Sequence, residues 1–147
     1  MLTPDEAGRV RARWADLSAA PDWSGRALWL HGDPHPANLL VRDGRLRAVL
    51  DFGDVTSGDP ASDLATAWLT FDVTGRAAFR ARCAEARPSG AARRAGAPAS
   101  AARYDEATWR RAHAWALHLS LVLLGSPPQH PHLHTMGRHG LDQALAD

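Results

Sequence analysis

The chain has 147 residues, 45% hydrophobic and 22% charged, which suits one soluble globular domain spanning 1–147. A formal net charge of +1, with the arginines spread along the chain, excludes the basic stripe of a nucleic-acid surface. The first residues lack the apolar core of a signal peptide and no segment approaches the ~18 apolar residues of a membrane span, so no membrane partner and a cytoplasmic location are expected.

In chain order, Thr3 to Leu17 reads as an amphipathic helix, with Thr3 as cap, Pro4 in the first turn and Val10, Trp14 and Leu17 at helical spacing. A short apolar run, Ala27 to Leu30, enters HGDPHPAN, whose prolines and Gly-Asp pair forbid regular structure and make a shaped loop. Leu39 to Arg42 and Leu46 to Leu50 are extended runs around Asp43-Gly44-Arg45, a hairpin signal because Gly44 tolerates positive φ. Asp59-Pro60 opens a helix carrying Leu64, Ala65, Trp68 and Leu69, and a second runs from Val73 to Ala86. The single cysteine, Cys83, lies there with no partner for a disulfide and reads as a packing residue. Residues 87–103 are rich in Pro, Gly, Ser and Ala and are expected to form a mobile surface loop. Asp105 caps a long helix through Leu124, Gly125 and Pro127-Pro128 stop it, and a last helix covers Thr135 to Leu145. The expected fold is mainly α with one small β-hairpin.

The chemistry is concentrated in two segments that this hairpin joins. His31-x-Asp33-x-x-x-x-Asn38, followed by Asp51-Phe52-Gly53, repeats the spacing of a kinase catalytic loop and metal-binding triplet. Phosphoryl transfer needs a positioned hydroxyl and neutralised phosphate charge, and three oxygen-bearing side chains supply both. Asp33 can accept or orient the proton of a substrate hydroxyl. Asn38 offers a neutral oxygen and Asp51 a charged one to a hard cation. His31 reads as a buried orienting residue and His35 as a loop residue near the substrate. Asp59 reads as a helix cap, and Asp63 as a structural hydrogen-bonding partner behind the loop. His130, His132 and His134 lack the cysteines or helical HExxH frame of a zinc site and read as surface loop.

The stretch LWLHGDPHPANLLVRDGRLRAVLDFGDVTSGDPASDLATAW resembles the catalytic segment of bacterial aminoglycoside and macrolide phosphotransferases, a family related in fold to choline kinases and protein kinases. A weaker likeness runs through DEATWRRAHAWALHLSLVLL and back into the first helix. The resemblance implies the C-terminal lobe of a protein-kinase-like fold, ATP and Mg2+ as cofactors, and transfer of the γ-phosphoryl group to a hydroxyl of a small molecule of the aminoglycoside or macrolide kind. It implies Asp33 as catalytic base and Asn38 and Asp51 as magnesium and cofactor ligands. Pro34 and Ala37 depart from the residues frequent in that loop, yet leave the three oxygen-bearing positions intact.

Family members are about twice as long and carry an N-terminal ATP lobe with a phosphate-covering loop and a lysine. All 17 positive residues here are arginine, with no lysine and no GxGxxG, so that lobe is absent from this reading. The expectation is a truncated catalytic lobe, with a missing N-lobe partner or self-association through an apolar face. The competing reading is a non-catalytic remnant or binding module that keeps the fold. A protein kinase is disfavoured, since GDPASDLA follows DFG with no activation loop and no APE.

Overall fold

A computed structural model describes residues 2–85 and 104–146. The expected loop at 87–103 and the helix end at Ala86 lie outside the described residues.

The first helix, α1 (Pro4–Leu17), forms where the sequence signals it. Glu6 N–H donates to the Thr3 hydroxyl at 3.2 Å and Thr3 N–H donates to the Glu6 carboxylate at 2.8 Å, a reciprocal cap that satisfies both ends of the first turn. Val10 and Leu17 are buried, whereas Trp14 is half-exposed. Three ion pairs or charged hydrogen bonds clip α1 to the last two helices: Arg9 to the Leu145 carbonyl, Arg138 to Glu6, and Arg110 to Asp16.

The β structure corrects the expectation of one hairpin. β2 (Leu39–Arg42) and β3 (Arg45–Val49) form the expected ribbon, but β1 (Leu28–Leu30) also pairs antiparallel with β4 (Thr56–Gly58). The partner Thr-Ser-Gly has no alternating apolar pattern, so nothing in its sequence announces a strand. Together the two ribbons bracket the loops that follow β1 and β3.

The helix after Pro60 is not continuous. α2 (Ala61–Leu64) and α3 (Thr66–Thr70) meet at Ala65, whose carbonyl accepts Trp68 N–H at 3.1 Å in a tighter i to i+3 turn. α4 (Val73–Glu85) follows, and Cys83 packs half-buried against the core.

α5 (Glu106–Leu124) is capped by Asp105, which accepts from the Thr108 hydroxyl at 2.7 Å and from Thr108 N–H at 2.8 Å. Those two bonds hold its carboxyl below the ordinary aspartate range. α6 (Pro131–Ala146) starts at Pro131, not Thr135, so Pro131 to His134 form its first turn and not a surface loop. Proline suits a helix opening because its φ is preset and its missing N–H is not needed there. The His134 ring then reaches the Ser126 carbonyl at 2.7 Å.

The core lies where α2 and α3 pack on α5 and α6. Trp68 stacks on His113 at 4.6 Å, and His113 donates from Nε2 to the Ala144 carbonyl at 2.8 Å, which satisfies a polar group in the centre of the bundle. Small residues set the spacing of α5 and α6. At Gly137 a methyl group would come within 2.8 Å of both Leu124 N and the Ser120 carbonyl oxygen. No helix among the described residues is long and apolar enough to cross a membrane.

Gly137→Ala is therefore expected to destabilise the fold by about 1–3 kcal/mol through overpacking against rigid backbone, outweighing the ~1 kcal/mol that alanine gains over glycine in a helix. A lower urea midpoint at unchanged slope would report it, and a raised midpoint would contradict the packing.

Candidate active site

The hairpin brings the two chemical segments together. Asp43 and Gly44, with φ of 53° and 67°, make the two-residue turn whose twist matches paired strands. Arg47 is the extra residue of a bulge, because Leu40 pairs with Ala48 while Val41 pairs with Leu46. At the open end Leu39 pairs with Val49, and Leu50 N–H donates to the Asn38 carbonyl at 2.8 Å. Asn38 thus lies across from Leu50, the residue before Asp51.

The loop before Asn38 is tied to the helical core by Asp63 on α2. One carboxylate oxygen accepts His31 N–H at 2.7 Å and the other accepts Gly32 N–H at 3.0 Å. Gly32 has φ of +90°, and a Cβ there would lie 2.1 Å from the Asp54 carbonyl oxygen. Only glycine allows the His31–Asn38 loop to touch the turn at Phe52–Asp54 this closely.

His31 uses both ring nitrogens on backbone. Nε2 donates to the Leu50 carbonyl at 2.8 Å and Nδ1 accepts Asp33 N–H at 3.3 Å, an arrangement that requires the neutral ring. Its ring also lies 4.6 Å from that of Phe52, so it spans the catalytic loop and the end of β3.

Asp33 presents a carboxylate that is 41% exposed. The Asn38 amide nitrogen donates to the Asp33 carbonyl at 2.9 Å and lies 3.3 Å from its Oδ2, which turns the amide oxygen of this buried residue away from Asp33. Asp51 is exposed in the left-handed region at φ 59°, ψ 73°, and its Oδ1 accepts Gly53 N–H at 3.3 Å. The left-handed backbone turns the chain sharply out of β3 and into the Phe52–Asp54 turn. Asp33 and Asn38 are therefore in contact, whereas Asp51 follows Leu50, the residue that bonds back to Asn38, and its own side chain bonds Gly53 N–H.

Asp59 accepts Ala61 N–H at 3.0 Å and also forms a two-point pair with Arg111, at 2.7 Å from Nε and 3.3 Å from Nη2. Arg111 donates further to the Pro21 carbonyl at 2.7 Å, so one guanidinium from α5 joins the start of α2 to the segment leading into β1. Sequence reasoning did not find Arg111, because its carboxylate partner is 52 positions away and no local pattern marks it. It also did not find the contact between His35 Nε2 and Asp33 Oδ2, at 3.2 Å.

No group of three or more His, Cys, Asp or Glu side chains among the described residues forms a metal cage. A magnesium site that relies on one or two carboxylates plus substrate phosphates needs no such cage, and hard oxygen donors are what Asn38 and Asp51 offer.

The model of the phosphotransferase enzyme family, APH, matches residues 2–115, from α1 through the whole site into α5. The chain belongs to that family. No curated protein and no solved structure matches it.

Asp63→Ala would leave two loop N–H groups without their charged acceptor, and the expected loss is about 2 kcal/mol in unfolding free energy. Hydrogen exchange at His31 and Gly32 should quicken in the same variant, and unchanged exchange would show that another group anchors the loop.

Proposed function

We propose that the chain is the catalytic lobe of an ATP- and Mg2+-dependent small-molecule kinase, with Asp33 as base toward an acceptor hydroxyl and Asn38 and Asp51 as the metal ligands. The observation that supports the reading most is the Leu50 to Asn38 backbone bond, which extends the hairpin by one pair and brings the backbone of Asn38 opposite the residue that precedes Asp51. Family membership supports phosphoryl transfer as the chemistry. The acceptor class, an aminoglycoside or macrolide hydroxyl, rests on the resemblance of the loop sequence.

The donor set fits the ion. The Asn38 amide nitrogen is turned to Asp33, which leaves its oxygen for a cation, and Asp51 has an exposed carboxylate with one weak backbone donor. Bound there, Mg2+ would neutralise phosphate charge and align the γ-phosphoryl group. Asp33, half-open to solvent and braced from behind, can hold the acceptor hydroxyl and take its proton. Asp63 and His31 fix the loop that carries Asp33, so orientation is set before substrate arrives.

A second lobe is part of the proposal. The 147 residues contain no lysine to pair with the α and β phosphates. Trp29, Leu40, Val41, Leu46, Phe52 and Val55 are each exposed on the site-bearing segment, and this many exposed large apolar side chains supports a covering partner. By themselves these residues should turn over weakly, since electrostatic positioning of the phosphates supplies much of the rate.

In a calorimetric titration, ATP with Mg2+ is expected to bind the wild type and to lose its Mg2+-dependent heat in Asp51→Ala. Any phosphotransfer to an aminoglycoside and macrolide panel should fall at least ~10²-fold in Asp33→Ala. Equal binding with and without Asp51, or no binding at all, would favour a non-catalytic module with the kinase-family fold.

A further inference from the structure

The immediate surroundings of Asp33 contain one side chain with no role in the reading above. His35 sits between two prolines, Pro34 and Pro36, in extended backbone at φ −104°, ψ 168°. Its N–H donates to the Asp33 carbonyl at 3.0 Å and its own carbonyl accepts Asn38 N–H at 2.9 Å. The backbone therefore folds the ring back over Asp33, and the prolines on either side restrict the alternatives.

The ring is mostly buried, at 15% side-chain exposure against 41% for Asp33. Nε2 lies 3.2 Å from Asp33 Oδ2, whereas Nδ1 is buried and has no hydrogen-bond partner. A neutral imidazole carries one proton, and the group facing its nitrogens decides where it sits. Among the described residues the one such group is a carboxylate oxygen, which accepts and cannot donate. The proton belongs on Nε2, and a bare lone pair there would face the carboxylate repulsively.

We propose that His35 is a positioning residue for Asp33: its Nε2–H and the Asn38 amide both donate to Oδ2, fixing the carboxylate plane and leaving Oδ1 as the oxygen that meets the acceptor hydroxyl. The proposal rests on the reading of Asp33 as the base. Two donors on one oxygen hold the group against rotation and leave the other oxygen free to meet the acceptor hydroxyl. His31 cannot share this task, because both of its nitrogens are engaged with backbone.

The test is a long-range 15N–1H correlation spectrum of the full chain labelled at histidine nitrogens, with His35 assigned by His35→Gln. The expected wild-type signature is the Nε2–H tautomer, with the preference lost in Asp33→Ala. An Nδ1–H signature, or a tautomer indifferent to Asp33→Ala, would overturn the proposal. In phosphotransfer, His35→Leu should lower kcat roughly 10- to 100-fold with KM for ATP unchanged. His35→Gln, whose amide N–H replaces Nε2–H, should restore most of it; equal loss in both variants would contradict positioning. An Nε2–H signature with no turnover in any variant supports the contact and counts against the kinase reading. An Nδ1–H signature beside turnover lost in Asp33→Ala does the reverse.

Discussion

The geometry of the site depends on one carboxylate. Asp63 holds the N–H groups of His31 and Gly32 from the first turns of the helical core and so ties the loop that carries Asp33 to α2. The link is rigid because both oxygens are used and because α2 packs against α5. A backbone N–H bound to a charged acceptor is among the stronger hydrogen bonds available to a protein, and two from consecutive residues fix direction as well as distance. From that anchor the loop can run to Asp33 and Asn38, and the hairpin then returns the chain to Asp51.

Gly32 shows the same constraint from the other side. Its positive φ and its approach to the Asp54 carbonyl let the loop and the Phe52–Asp54 turn share one surface. His31 closes the arrangement by bonding Leu50 and stacking near Phe52. Orientation of Asp33 is thus built from backbone hydrogen bonds made by residues that carry no reacting atom.

Much of this was legible in the sequence where a single residue forces a conformation. Asp43-Gly44 demands a two-residue turn, Thr3-Pro4 with Glu6 demands a helix start, and the spacing from His31 to Asn38 marks a kinase-type loop. What was not legible depends on partners distant in the chain. The β1–β4 ribbon joins an apolar run to Thr-Ser-Gly, which has no strand pattern of its own, and α2 breaks from α3 at Ala65 in a sequence that reads as one continuous helix. The start of α6 at Pro131 was hidden by three histidines and a proline that resemble a loop until the helix behind them is seen. The Asp59–Arg111 pair and the His35–Asp33 contact depend on tertiary placement and on ring direction, neither of which spacing encodes.

Chemistry and fold meet in the proposal that Asn38 and Asp51, at the open end of the hairpin, hold one divalent ion. Replacing Mg2+ with paramagnetic Mn2+ in the presence of ATP, and recording the amide spectrum of the 15N-labelled chain, tests that claim most directly. Selective broadening of Asn38, Leu50, Asp51 and Phe52, with α5 and α6 unaffected, is the predicted result. Broadening centred elsewhere, for instance at the histidines of α6, or none at all, would contradict it.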